Sequence, residues 1–127
     1  MKTVSRVVLL LTVGLLCAFA AVAAAPDFTG TWLGSTEVPD VGTDQVTLVV
    51  KKAEAGYAVT ISDSAQMITP NTEARDVKVD GEAIGFWFAL ASGESVSVQL
   101  KIAGDTLTGG WTHESGSTGA LTLERKK

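Results

Sequence analysis

Cysteine is almost missing from this 127-residue chain: the only one, Cys17, stands inside an N-terminal apolar stretch. The rest of the chain therefore has neither disulfides nor a thiol nucleophile, and must rely on its own core. Histidine is as scarce, with His113 alone. A histidine base needs a nucleophile and an orienting acid. Glu114, Ser115 and Ser117 are close in sequence, but adjacent strand residues face opposite ways, so His113 reads as a residue at the rim of a hairpin. There is no Gly-x-Ser-x-Gly turn and no phosphate-binding loop. The carboxylates show no spacing that pairs an acid with a base. Asp76-x-Lys78-x-Asp80-Gly81-Glu82 has too few oxygen ligands for a calcium loop. These absences predict a protein that is not an enzyme and uses no metal or cofactor.

The first 25 residues form a separate object. Lys2 and Arg6 give a basic start, Val7 to Phe19 is apolar apart from Thr12 and Gly14, and Ala20 to Ala25 is nearly all alanine. That is the order of a secretory signal peptide, with cleavage expected near Ala23 to Ala25. The rival, a membrane anchor, would have a stretch barely long enough to span a bilayer and an alanine-rich second half. Leu15-Leu16 before Cys17 are not the small residues of a lipidation signal. Residues 26–127 then form one secreted or periplasmic domain, with no stable membrane anchor after cleavage.

Basic side chains are in the minority, 10 against 14 acidic. Losing Lys2 and Arg6 leaves 8 against 14, a net charge of -6. This argues against nucleic acid and anionic membrane surfaces as partners.

What remains alternates. Phe28-x-Gly30-x-Trp32-x-Gly34, Val46-x-Leu48-x-Val50, Tyr57-x-Val59-x-Ile61, Val77-x-Val79 and Ile84-x-Phe86-x-Phe88-x-Leu90 are five such segments. Val96-x-Val98-x-Leu100-x-Ile102, Leu107-x-Gly109-x-Trp111 and Leu121-x-Leu123 complete the set. Eight period-two segments predict eight half-buried strands. Glu54-Ala55-Gly56, Asp80-Gly81, Ser92-Gly93, Gly104-Asp105 and Ser115-Gly116 supply hairpin turns. One connection is longer: Ser62 to Arg75 holds Met67 and Ile68 and is broken at Pro70-Asn71. It reads as a lid across one end or as an irregular strand. No segment of this part has helical periodicity. The fold expected is an all-β, up-and-down antiparallel barrel, with a two-sheet sandwich as the alternative.

A five-residue phrase occurs twice, as Phe28-Thr29-Gly30-Thr31-Trp32 and Leu107-Thr108-Gly109-Gly110-Trp111. The first, extended through Leu33-Gly34, resembles the Gly-x-Trp signature at the first strand of lipocalin-like β-barrels. Together with Asp76-Val77-Lys78-Val79-Asp80-Gly81, Asp105 to Trp111 and Leu121 to Arg125, it makes the chain similar to a small secreted bacterial β-barrel domain. That domain also occurs ahead of some α/β-hydrolase domains. The resemblance implies the fold. Any hydrolytic residues would belong to a following domain, and the wider lipocalin group implies a small apolar ligand.

The ligand-binding candidates are Trp32, Tyr57, Phe86, Phe88 and Trp111, the aromatics expected on the inward face. Nothing charged is expected at a clearly inward position, so a ligand would be apolar, with Tyr57 offering a hydroxyl at the mouth. Gly30, Gly34 and Gly109 are expected to open inward space for a guest or for the two indoles. Trp87 lies between Phe86 and Phe88 and so faces outward with Gly85 and Ala89. It marks a candidate contact surface for an envelope protein, or else an aromatic covered by side chains of a neighbouring strand.

Overall fold

The computed structural model describes residues 25–127. Apart from Ala25, the expected signal peptide lies outside the described residues. The strands are β1 (Gly30–Val38), β2 (Gly42–Ala53), β3 (Gly56–Asp63), β4 (Thr72–Glu73), β5 (Arg75–Asp80), β6 (Ala83–Ala89), β7 (Ser95–Ala103), β8 (Thr106–His113) and β9 (Thr118–Arg125). They form one antiparallel sheet in the order β4-β3-β2-β1-β9-β8-β7-β6-β5. Strands adjacent in sequence pair with each other, except β4 and β5, and β1 also pairs with β9, Trp32 lying opposite Arg125. A single sheet replaces the sandwich alternative and makes an up-and-down barrel.

The two ends of the sheet order, β4 and β5, are consecutive in the chain. β4 pairs with β3 through Thr72 and Glu73, and the Ala74 N–H donates to the Val59 carbonyl at 2.8 Å. One residue later the chain changes partner, and Arg75 lies opposite Trp87 of β6. The segment from Thr72 to Asp80 thus acts as one strand that hands over from one wall to the other, and it nearly closes the barrel. The long connection fills both expected roles. Its middle crosses one end of the barrel, where the Ala91 N–H donates to the Met67 carbonyl, and its tail forms β4.

Alternation decides what is buried. On β7, Val96, Val98, Leu100 and Ile102 face in, while Ser97, Gln99 and Lys101 face out. Eighteen apolar side chains form the core. Such burial is the main favourable term for a domain without disulfides. The expected Val77-x-Val79 face departs from the pattern: Val77 is half-buried, but Val79 is 42 % exposed. The register slips between Arg75 and Lys78, and Asp76 takes a left-handed φ of 52°. A bulge of this kind re-aims the residues after it.

The barrel has one sealed end. Phe28 and Trp32 are fully buried there. The Trp32 indole N–H donates to the Phe28 carbonyl at 2.9 Å, and the Arg125 guanidinium lies 4.3 Å from the Trp32 ring centroid. Arg125 also donates to the carbonyls of Thr29 and Asp27 and to the Asp105 carboxylate. The Tyr57 ring meets Phe28 edge-on at 5.6 Å. A cation over an indole and satisfied carbonyls make this end a rigid plug.

Candidate functional site

The opposite end is open and hollow. A cavity of about 230 Å³ lies inside the barrel mouth. Its walls are mostly apolar, with Val46, Ile61, Phe88, Val98, Trp111 and Leu121 facing into it. Met67 and Ile68, from the loop after β3, lie across it.

The mouth is polar, and this corrects the expectation that nothing charged points inward. On β1 the inward row Trp32, Gly34 continues to Thr36. On β2 the row Val50, Leu48, Val46 continues to Asp44. On β3, Val59 and Ile61 lead to Asp63, and on β8, Trp111 leads to His113. All four polar residues line the cavity. Thr36 and Asp44 are 8 % and 4 % exposed. The signal was present in the sequence as one further step of each alternation. Each polar member lies one step beyond the last apolar residue of its row, where hydrophobic period no longer marks it.

Thr36 and Trp111 support each other. The Trp111 indole N–H donates to Thr36 Oγ1 at 2.8 Å, and that hydroxyl donates to the Ala120 carbonyl at 2.7 Å. The pair holds the indole against the cavity wall with no polar atom left unpaired.

Asp44 and Asp63 hold the loop. Asp44 Oδ1 accepts from the Ala65 N–H at 2.9 Å and from the Ser64 hydroxyl at 3.2 Å. Asp63 accepts from the Ile68 N–H at 3.0 Å and the Met67 N–H at 3.3 Å. The two carboxyls also meet. Burial, a hydrogen bond with Asp44 and that residue's charge raise the Asp63 carboxyl to about 6, against the lowering effect of its backbone donors. Two acids in such contact share a proton more readily than they both ionise.

His113 sits between a carboxylate and a hydroxyl. Its Nε2 is 3.5 Å from Glu94, and its Nδ1 is 2.8 Å from Ser115 Oγ. The order resembles an acid–imidazole–hydroxyl relay, but the groups are engaged as a turn. The Ser115 N–H also donates to Nδ1 at 3.0 Å, and the Ser117 N–H donates to Ser115 Oγ at 3.4 Å. One imidazole lone pair thus faces two donors, and the hydroxyl is itself an acceptor. The constellation locks the β8–β9 hairpin.

Of the five inward aromatics, Phe88 and Trp111 line the cavity. Trp32 and Tyr57 belong to the sealed end, where the Tyr57 hydroxyl is 3.5 Å from the Pro26 carbonyl. Phe86 is core, 4 % exposed, and does not reach the cavity. The two copies of the repeated phrase therefore do different work, one sealing an end and one lining the mouth. The glycines differ from expectation too. A Cβ on Gly34 would strike the Thr122 carbonyl, and one on Gly109 would strike that of Gln99. They permit close approach of backbones. The residue that makes room for Trp111 is Gly119, opposite it on β9, whose Cβ would strike the indole.

Trp87 lies on the outer face, half-buried in a shallow groove between β5 and β7. Its indole N–H donates to Asp76 at 2.7 Å, and the Arg75 guanidinium lies 5.2 Å from its ring centroid. Side chains of the neighbouring strand thus cover it.

No family model matches the chain, and no curated protein matches it in sequence. Solved structures do match in shape. A de novo designed fluorescence-activating β-barrel superposes with a TM-score of 0.55 at 18 % identity, over 83 % of this chain and 99 % of that one. Secretory abundant heat soluble protein 4 from Ramazzottius varieornatus gives 0.52 at 17 % identity, over 84 % and 100 %. A variant of the fluorescent protein UnaG gives 0.51 at 14 % identity, over 79 % and 96 %. At such identities the likeness is one of fold, and the fold is that of a lipocalin-like β-barrel.

Proposed function

We propose that this protein is a secreted, non-enzymatic barrel that binds a small, mainly apolar ligand in the cavity at its open end. The observation that carries the reading is the cavity itself, about 230 Å³ of space walled by apolar side chains, above a core whose other end is plugged. A fully packed interior would have left nowhere for a guest. The fluorescence activation named for the designed barrel is a property of that protein and lends only its architecture here. Export rests on the basic, apolar, alanine-rich order of residues 1–25, and the exported protein is expected to start near Ala24 to Pro26.

Trp111 lines the cavity while Trp32 and Trp87 do not. Binding should therefore shift the emission of Trp111 alone. A panel of small apolar compounds should shift the emission of the wild type, and the shift should vanish in Trp111→Phe. Filling the cavity with Val98→Phe should weaken binding about tenfold or more, the direction expected when a guest loses its space. No shift with any compound, or equal binding by Val98→Phe, would overturn the proposal.

Contact with an envelope protein through Trp87 is the less supported reading. Such a partner would have to displace both Asp76 and Arg75 from the indole.

A further inference from the structure

The charge inside the cavity has one sign. Asp44 and Asp63 line it, and neither lysine nor arginine does. Asp44 is 4 % exposed. Its Oδ1 takes the Ser64 hydroxyl and the Ala65 N–H, and apart from the contact with the Asp63 carboxyl no N–H or hydroxyl of the described residues donates to Oδ2. Neither aspartate has a cationic partner: the ion pairs among the described residues are Arg125 with Asp105 and His113 with Glu94. A buried carboxylate without a counter-charge is unfavourable, and a second one beside it makes it more so.

His113 is the one basic side chain lining the cavity, and it does not reverse this field. Its Nδ1 is occupied by Ser115 and its Nε2 faces Glu94. The loop across the mouth, Ser64 to Ile68, adds no charge of its own.

We propose that the cavity selects a cation: a protonated amine on a compact apolar body, its ammonium donating to Asp44 Oδ2 and its body resting on Phe88, Val98 and Trp111. This rests on the ligand-binding reading above and adds to it the sign of the ligand's charge and its size. The size follows from the volume. About 230 Å³ exceeds the ~150 Å³ that holds benzene and falls short of the ~300 Å³ at which drug-sized pockets begin. A single ring with a short arm fits those limits. A carboxylate of the same shape would meet two like charges at the mouth and be repelled.

The test uses three probes of nearly one shape, phenethylamine, phenethyl alcohol and phenylacetate, titrated by calorimetry into the protein without its leader. At about pH 7.5 the amine is charged and the pH lies above the value of about 6 at which Asp63 gives up its proton. The amine should bind about tenfold or more tighter than the alcohol, as charge-assisted hydrogen bonds do over neutral ones, and phenylacetate should bind most weakly. Asp44→Asn keeps an oxygen for the loop donors and removes the charge. It should lower the amine's affinity by about tenfold and leave the alcohol's unchanged. Should that variant melt early, Asp63→Asn removes the other charge and should act in the same direction.

If the alcohol or phenylacetate binds as well as the amine, the charge selection is overturned while the ligand-binding reading stands. Amine affinity unaltered in both variants would overturn it equally. If none of the three binds but the apolar panel does, the inference fails alone. If the panel fails too, both readings fall together.

Discussion

At the scale of single residues, the mouth is governed by Asp63 and its neighbour Asp44. The Asp63 carboxyl holds its proton to about 6, above its ordinary value of 3.8. The folded form therefore binds this proton more tightly than the unfolded chain does. The stability so gained is complete below about 3.8 and is lost as pH rises through about 6. Burial, the largest cause, stays in place in Asp44→Asn, but the variant supplies a neutral partner and should remove the part of the effect that Asp44 contributes. Denaturant midpoints of the two proteins at about pH 5 and pH 7 should show the variant gaining on the wild type at the higher pH. An identical difference at the two pH values would mean that the acids do not share a proton. The inward aim of Asp44 and Asp63 was legible in the alternation of Val46-x-Leu48 and Val59-x-Ile61. Their meeting was not, because it depends on the register that sets Val46 opposite Asp63.

Among the elements, the handover from β4 to β5 is the weakest part of the barrel. β4 is two residues long, and the pairing of β5 with β6 is broken between Arg75 and Lys78. Few ladder hydrogen bonds hold such a seam, so it should open more readily than the rest. Hydrogen exchange should run fastest at the amides of Asp76 and Val77, and slowest in the middle of β7 and β8. Asp76 has a positive φ and accepts from Trp87. Asp76→Ala loses that acceptor and places a less tolerant residue in the left-handed region. It should cost about 1–2 kcal/mol in equilibrium unfolding and speed exchange along β5. Uniform exchange over all nine strands would contradict this account. The eight alternating segments made the main strands legible. The ninth strand was legible only as one of two roles for the long connection, and the bulge was hidden because a positive φ at an aspartate leaves no trace in hydrophobic period.

For the whole molecule, the division between a plugged end and a hollow end separates stability from binding. Trp32→Phe removes an indole donor to Phe28 and a ring beneath Arg125. It should lower stability by about 1–2 kcal/mol and leave ligand affinity as it was. Trp111→Phe should weaken binding with a smaller loss of stability, since Trp111 is only partly buried. Calorimetry and chemical denaturation of both variants would check this, and a loss of affinity in Trp32→Phe would refute the separation. The barrel was legible from alternation joined with hairpin turns. Its closure was not, because alternation is the same in one curved sheet as in two stacked ones, and neither was the hollow, which is a difference between volumes that period alone does not carry. Both ends of the described residues meet at the plugged end, where Arg125 reaches Asp27 and Thr29 and the Lys126 N–H donates to the Thr31 carbonyl. The folded part is therefore held like a cup by its stem: both points at which the chain enters and leaves it lie beneath the barrel, and the rim is turned away from both.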